Sequence, residues 1–212
     1  MSGVNPRPRV TVDDLIARAE ITDVVMDLAR GTDRLDEELM AGCYHPDGFD
    51  DHNAFRGSGT EFAKWVVDVL PHFEATMHFV GPPRIRFDPV DPDVAHVDTY
   101  CEAHHVSRPD ADGHQTDMVL GLRYVDRFER RTADSADSAE PADSAEPAGP
   151  EGRWLIARRV CAFDWSSTVT TDASARYRFE PDFTVGQRFG DGDRTDITYL
   201  DSFQKAPGED QR

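Results

Sequence analysis

The chain has few cysteines, few basic residues and no long apolar run. Its three cysteines, Cys43, Cys101 and Cys161, are far apart and form no CxxC pair, so neither a disulfide framework nor a cysteine zinc site is indicated. No apolar stretch approaches the roughly 20 residues of a membrane-spanning helix. The N-terminal segment lacks the apolar core of a signal peptide. We therefore expect a soluble cytoplasmic protein.

Acidic residues strongly outnumber basic ones. The 212 residues include 23 Lys and Arg against 41 Asp and Glu, which gives a formal net charge of −18. Such a surface repels nucleic-acid phosphates and anionic lipid headgroups. The composition therefore predicts neither a nucleic-acid partner nor a membrane partner.

The length is typical of one domain with extensions, since a domain has about 150 residues. Residues 133–151 repeat Ala, Asp, Ser, Glu and Pro, and this composition predicts a disordered acidic loop. Alternating segments at 118–131 and 153–165 flank it, which favours an insert in the last hairpin. We expect one domain over 10–166, followed by a polar C-terminal extension over 167–212.

The N-terminal third has helical periodicity and most of the remainder alternates like strands. Thr11 is a candidate N-cap for a first helix ending near Gly31, and further helices are expected at about 36–43 and 60–70. Strands are expected at 77–81, 84–90, 94–106, 118–131 and 153–165. Helices followed by a strand meander indicate an α+β fold. A curled sheet closed by these helices forms a cone whose interior is the natural ligand site.

The long strand at 94–106 divides its side chains between two faces. Period-two alternation places on one face Ala95, Val97, Thr99, Cys101, Ala103 and His105. This face is small and mostly apolar, so we expect it to line the interior. His105 then points inward and His104 outward, unless a one-residue bulge reverses them.

His78 and Asp33 are the main candidates for chemistry. His78 lies between Met77 and Phe79, where a histidine is either a hydrogen-bonded core residue or a base. Asp33 comes just past the first helix and is either a solvated acid or a partner for His78. A carboxylate that accepts one ring N–H fixes the imidazole tautomer and makes the other nitrogen more basic. Such a pair in an apolar cavity is a general base.

Other polar residues are weaker candidates. Asp50, Asp51 and His52, together with His104 and His105, could suggest a metal, but they lack the spacing of a compact ligand set. We therefore predict no metal site. No GxGxxG, P-loop or GxSxG motif is present, so nucleotide-binding and serine-hydrolase functions lack their sequence signatures.

Five segments together resemble a known superfamily. They are ITDVVMDLARGTDRLD, CYHPDGFDDH, ATMHFVG, GLRYVDRFERR and WLIARRVCAFDW. Over about residues 12–165, without the acidic insert, the chain resembles the SnoaL-like branch of the nuclear transport factor 2 superfamily. The resemblance implies a cystatin-like α+β cone, in which a curved mixed β-sheet is closed by about three N-terminal helices. It also implies a homodimer or homotrimer.

Within that superfamily the pattern is similar to scytalone dehydratases and lindane dehydrochlorinases. Both pair an Asp after the first helix with a His in a short strand, and Asp33 and His78 occupy the matching positions. The resemblance implies a cofactor-free lyase, a dehydratase, acting on a small cyclic or polyketide-like substrate. His78 would abstract the proton, Asp33 would orient it, and His105 is a further catalytic candidate. Candidates for substrate contact are Tyr44, His52, Cys101 and Trp65.

Two alternatives remain at the level of sequence. A cyclase or isomerase would use the same base and would also need a donor for an enolate oxygen. One of the adjacent Arg158 and Arg159 must point inward and could bind a carboxylate or an enolate. A non-catalytic binding or assembly subunit would need no base at all.

Overall fold

A computed structural model of the protein describes residues 10–132 and 152–172. The helices are α1 (Val12–Asp33), α2 (Glu37–Gly42) and α3 (Gly59–Val69), and a 3₁₀ turn follows at Leu70–His72. The strands are β1 (Tyr44–Asp51), β2 (Arg56–Ser58), β3 (Phe73–Val80), β4 (Arg84–Phe87), β5 (Val94–Ser107), β6 (His114–Arg131) and β7 (Arg153–Asp172). The predicted acidic loop at 133–151 lies outside the described residues. Of the predicted extension over 167–212, residues 167–172 continue strand β7 and the remainder lies outside the described residues. No helix in the described part is long and apolar enough to cross a membrane.

The seven strands form one curved, unclosed mixed sheet. Their order is β2-β1-β7-β6-β5-β3, and β4 also pairs with β5. The β1–β7 pair is parallel and the other pairs are antiparallel. The predicted α+β class, with a curved mixed sheet and three helices, is confirmed.

Strands β1 and β2 are not predicted by the sequence analysis. The triplet Pro46-Asp47-Gly48 is typical of a turn and interrupts the alternation. In the structure it is an irregularity inside β1, where the register with β7 shifts between Tyr44 and Phe49. A Cβ on Gly48 would lie 2.7 Å from the carbonyl oxygen of Ile156, so the strands approach closely only because this residue is glycine.

The first helix starts as predicted but ends later. Thr11 and Asp14 form a capping box at its N-terminus. The prediction that Gly31 ends the helix is wrong, because α1 continues to Asp33 and the chain reverses at Leu35, whose φ is 51°. Gly31 instead allows α2 to pack closely, since a Cβ there would lie 2.8 Å from Cγ of Met40. Asp33 is therefore the last helical residue, not a loop residue.

The core lies between the helices and the concave face of the sheet. The helices contribute a buried apolar stripe to it: Ala17, Ile21, Val25, Leu28, Phe62, Ala63 and Val66. A second, smaller cluster lies farther along the strands and comprises Cys101, Ala103, Leu122, Tyr124 and Cys161. The face of β5 predicted to be interior is buried along its whole length, from Ala95 to His105. The second cluster lies between two groups of polar side chains, Asp33 with His78 and Asp50 with His52.

Gly59 provides a test of this packing, because it begins α3 against the ring of Tyr44. A Cβ at Gly59 would lie 2.2 Å from Cγ of Tyr44, so we expect Gly59→Ala to lower the free energy of unfolding by about 1–3 kcal/mol. The matched control is Gly42→Ala, where a Cβ would meet nothing within 4 Å. That variant should be neutral or more stable by up to about 1 kcal/mol. Urea unfolding of both variants checks the prediction, and equal stability would contradict it.

Candidate active site

Asp33 joins the end of α1 to strand β3 through three hydrogen bonds. Its Oδ1 accepts from Oγ1 of Thr76 at 3.0 Å and lies 2.7 Å from Nδ1 of His78. Its Oδ2 accepts from the backbone N–H of His78 at 2.7 Å. Both the Asp33 and His78 side chains are about nine-tenths buried. The two residues, 45 positions apart in sequence, therefore meet at hydrogen-bond distance.

The charge of Asp33 determines the state of the His78 ring. Burial raises the pKa of Asp33, but the hydrogen bonds from His78 and Thr76 outweigh it and leave the pKa below its ordinary value. An ionised carboxylate can only accept hydrogen bonds, so Nδ1 of His78 carries the hydrogen. In the neutral imidazole, Nε2 then has a lone pair that can take a proton.

His105 lies next to His78 on the neighbouring strand. The two ring centroids are 5.4 Å apart and the rings are nearly perpendicular. Strand β5 places His105 opposite Thr76 and on the buried face, as the alternation predicts. Burial, assisted by the proximity of His78, lowers the pKa of His105 to about 4. His105 is therefore neutral near pH 7.

The low pKa of His105 predicts a loss of stability in acid. Between pH 6.5 and about 4 the unfolded chain binds a proton at this residue and the folded chain does not, so stability falls as the pH falls. This residue should contribute at most about 3 kcal/mol to that loss. We expect His105→Gln to reduce the difference in unfolding free energy between pH 7 and pH 4.5, measured by urea unfolding. Exposed His72→Gln should retain the full difference, and an equal loss in His105→Gln and wild type would contradict the assignment.

A second histidine–carboxylate pair lies where β1 ends. Asp50 is fully buried, and its Oδ1 lies 2.5 Å from Nδ1 of His52. Its Oδ2 accepts from the hydroxyl of Tyr44, also at 2.5 Å. Burial and the Asp50 charge raise the pKa of Tyr44 well above its ordinary value, so Tyr44 remains a hydroxyl. Tyr44 therefore positions Asp50 and has no proton to offer a substrate directly.

The ring of His52 packs against aromatic side chains. Its ring stacks on Phe62 of α3, with centroids 4.5 Å apart and planes 20° apart. The ring of Tyr124 lies 6.0 Å away. Trp65 packs against Phe62 at 6.1 Å and against Phe55 at 5.6 Å, so it belongs to the surroundings of His52. The side chain of His52 is 17% exposed, so it is largely but not fully buried.

Arg159 and Asp126 form a buried ion pair beside Asp50. The guanidinium donates two hydrogen bonds to the carboxylate, at 2.8 and 2.7 Å, and lies 4.0 Å from the centroid of the Tyr124 ring. Burial opposes both charges, but the pKa of Arg159 stays well above its ordinary value because Asp126 faces it. Arg159 is the inward residue of the Arg158–Arg159 pair, and its charge is already matched. It is not a free binding group for a carboxylate.

Cys101 lies between the Asp33–His78 pair and the Asp50–His52 pair. It is buried on β5 opposite Val80, two residues after His78, and it is hydrogen bonded to the Tyr124 hydroxyl. Burial raises the pKa of Cys101 to about 11, so its thiol is neutral. The proposed substrate-contact residues thus divide: Cys101 lies near His78, whereas Tyr44, His52 and Trp65 lie on the other side of Tyr124.

Several residues of the site were not singled out by the sequence analysis. Thr76 gave no local signal, because only the β3–β5 register places it beside Asp33. Asp126 is a charged residue at a buried position of an alternating strand, which is the signal that could identify it, whereas the sequence analysis names Arg159 only as one of two candidates for an inward arginine. The sequence pattern indicates Asp50 only as a potential metal ligand. Within residues 10–132 and 152–172, no group of three or more His, Cys, Asp or Glu is arranged to hold a metal ion.

Most of the chain matches a known protein family. Residues 13–160 match the SnoaL-like domain. The chain belongs to the SnoaL-like family. The resemblance inferred from the sequence is thereby confirmed. No curated protein matches this SnoaL-like chain.

Solved structures similar to this SnoaL-like protein share its fold at low identity. A type 2 hexachlorocyclohexane dehydrochlorinase is 18% identical, with 80% of this chain and 97% of that chain covered and a TM-score of 0.58. A candidate scytalone dehydratase from Novosphingobium aromaticivorans is 19% identical, with 84% and 100% covered and a TM-score of 0.52. A Kribbella flavida protein is 14% identical, with 72% and 94% covered and a TM-score of 0.55. At these identities the likeness shows the fold alone.

The buried Arg159–Asp126 pair predicts a large cost when one partner is lost. We expect Asp126→Ala to lower the free energy of unfolding by about 3–5 kcal/mol, because it leaves a buried guanidinium without its counter-charge. The exposed Arg123–Asp164 pair on the same two strands is the control. Asp164→Ala should cost no more than about 1 kcal/mol. Urea unfolding at neutral pH measures both, and similar losses would contradict the prediction.

Proposed function

We propose that this protein is a cofactor-free lyase, a dehydratase, in which His78 is the general base. The observation that supports this most directly is the bond between Nδ1 of His78 and the Asp33 carboxylate, which leaves Nε2 as the acceptor. The substrate would be a small, largely apolar cyclic or polyketide-like molecule. In support of an apolar substrate, Ala103 of the second cluster lies opposite His78 on β5, so the surroundings of the pair include apolar side chains.

The reaction would be a β-elimination. Nε2 of His78 takes the proton from the carbon next to an activating carbonyl, and the electron pair of that C–H bond forms the new double bond. The leaving group departs from the adjacent carbon with its bonding electrons. Asp33 balances the imidazolium that forms on His78, as a carboxylate beside an imidazole does in other general-base pairs.

The names of two structurally similar proteins support an elimination reaction. One is a dehydrochlorinase and the other a candidate dehydratase, so the names describe loss of HCl and loss of water from the substrate. Because the same fold can carry other functions, the names alone do not assign the reaction. The Asp33–His78 geometry is the independent support.

We also propose that the chain forms a homodimer or homotrimer through the convex face of its sheet. Four large apolar side chains on that face are at least half exposed: Met77, Phe79, Tyr100 and Trp165. The register brings Phe79 and Trp165 into one row across β3, β5, β6 and β7. An exposed apolar patch of this kind is typical of a protein interface. Analytical ultracentrifugation measures the oligomeric state, and a monomer at micromolar concentration would contradict this proposal.

A substrate screen with matched variants tests the base. We expect wild type to eliminate water from members of a panel of small cyclic β-hydroxy ketones. His78→Asn should lower kcat/KM by about 10²–10⁴-fold, because the amide can still donate to Asp33 but cannot take a proton. Asp33→Asn should also lower kcat, with KM changed little. Circular dichroism and thermal unfolding establish that each variant is folded.

The controls separate the alternatives. Exposed His72→Asn should retain wild-type kcat/KM. Full activity in His78→Asn would refute the role of His78 as the general base. A product that keeps every atom of the substrate would point to an isomerase or cyclase, and no turnover in wild type would favour a binding subunit.

A further inference from the structure

The carboxylate of Asp33 is held by two donors besides the imidazole of His78. Its Oδ1 accepts a hydrogen bond from Oγ1 of Thr76 at 3.0 Å, and the same oxygen lies 2.7 Å from Nδ1 of His78. Its Oδ2 accepts from the backbone N–H of His78 at 2.7 Å. Both carboxylate oxygens are therefore bonded to strand β3 independently of the ring that Asp33 orients.

The position of β3 in the sheet makes this arrangement possible. Thr76 and His78 are two residues apart on one strand, so their side chains lie on the same side of it. Their partners on β5 are His105 and Ala103. Because β3 is the last strand in the sheet order, its other edge has no strand partner within the described residues, and the N–H of His78 donates to Asp33 instead. The end of α1 thus meets three donors of one strand at a single residue.

The direction and rigidity of the Thr76 bond follow from the chemistry of the two side chains. An ionised carboxylate only accepts hydrogen bonds, so the Thr76 hydroxyl is the donor. Threonine is β-branched, which restricts χ1 and limits the directions in which its hydroxyl can point. The terminal torsion of an aspartate is broad, so a carboxylate held at one oxygen alone can rotate. Donors at both oxygens, Thr76 at Oδ1 and the His78 N–H at Oδ2, oppose that rotation.

We propose that Thr76 is a positioning residue for the elimination, because its hydroxyl holds Oδ1 of Asp33 against Nδ1 of His78. This inference rests on the proposed function, since it concerns the orientation of the same base. In this role Thr76 does not touch the substrate and acts only through Asp33. The imidazole gains a proton during the reaction, and a carboxylate fixed by other donors keeps its place as this happens.

Substitutions that separate the hydroxyl from the shape of the side chain test this role. The probes are 3-hydroxycyclohexanone and 3-hydroxy-1-tetralone, with background elimination subtracted. Thr76→Val keeps the branched shape and removes a donor to a charged group, so we expect kcat to fall about 10–100-fold with KM changed little. Thr76→Ser keeps the donor and should retain most of the wild-type kcat. The control is Thr116→Val on β6, where the hydroxyl partner is Thr170 at 3.4 Å, and its kcat should be unchanged.

A double substitution tests whether Thr76 acts through Asp33. If it does, Thr76→Val should lower kcat little further once Asp33→Ala has removed the carboxylate. If Thr76 contributes independently, by contacting the substrate or by supporting β3, the two losses multiply. Circular dichroism establishes that each variant is folded. Thr76→Ala removes the same donor and replaces Thr76→Val if that variant is unfolded, and unfolding of both would overturn the inference.

Nuclear magnetic resonance of the full chain provides a readout that needs no substrate. Burial raises the pKa of Asp33, and the hydrogen bonds from His78 and Thr76 outweigh it. Loss of the Thr76 donor should therefore raise the pKa of Asp33, so that its ¹³C-labelled carboxyl titrates at a higher pH in Thr76→Val than in wild type or Thr76→Ser. The Nδ1–H proton signal of His78 should broaden or move upfield in Thr76→Val and not in Thr76→Ser. A role of Thr76 in strand packing alone would move neither signal.

The outcomes distinguish this inference from the proposed function. Three results would each overturn the role of Thr76 and leave His78 as the base: unchanged kcat and Asp33 titration in Thr76→Val, an equal loss in Thr76→Ser, or losses that multiply in the double variant. Full activity of His78→Asn, or no turnover of either probe by wild type, would overturn the proposed function and, with it, this inference.

Discussion

The carboxylate of Asp33 determines the geometry of the candidate site. It lies on the last residue of α1 and binds Thr76 and His78 of β3 through both of its oxygens. Successive residues of a helix are rotated by about 100°, so an acid one position earlier or later would point away from β3. The packing of α1 against the sheet and the orientation of the His78 ring thus depend on one set of hydrogen bonds.

The pairing of the other polar side chains in the interior follows from the free-energy cost of burying a charge. An unpaired ion inside a protein is expensive, so the buried charges occur with partners. Arg159 is matched by Asp126, and Asp50 is bonded to both Tyr44 and His52. Groups without such a partner are neutral, as the lowered pKa of His105 shows. Within this interior, His78 and His52 are each hydrogen bonded to a carboxylate and largely buried.

Membership of the SnoaL-like family does not by itself define a reaction, because a fold can carry many functions. The candidate site is defined by two histidine–carboxylate pairs in which both side chains are largely buried. The pair at Asp33 joins a helix to an edge strand, whereas the pair at Asp50 lies within two residues of sequence at a strand end. Similar hydrogen-bonded pairs are therefore built from a long-range contact in one case and a local contact in the other.

The sequence by itself determined the locally encoded features. The Thr11 cap, the alternation of β5 that turns His105 inward, and the α+β class follow from propensity and period, which need no distant partner. Only the tertiary structure decided which side chains meet: Asp126 with Arg159 across a strand pair, and Thr76 with Asp33. It also revealed β1, which the sequence does not predict because Pro46-Asp47-Gly48 is typical of a turn and interrupts the strand alternation. Such contacts depend on register and sheet curvature, and these are set by the packing of the whole chain.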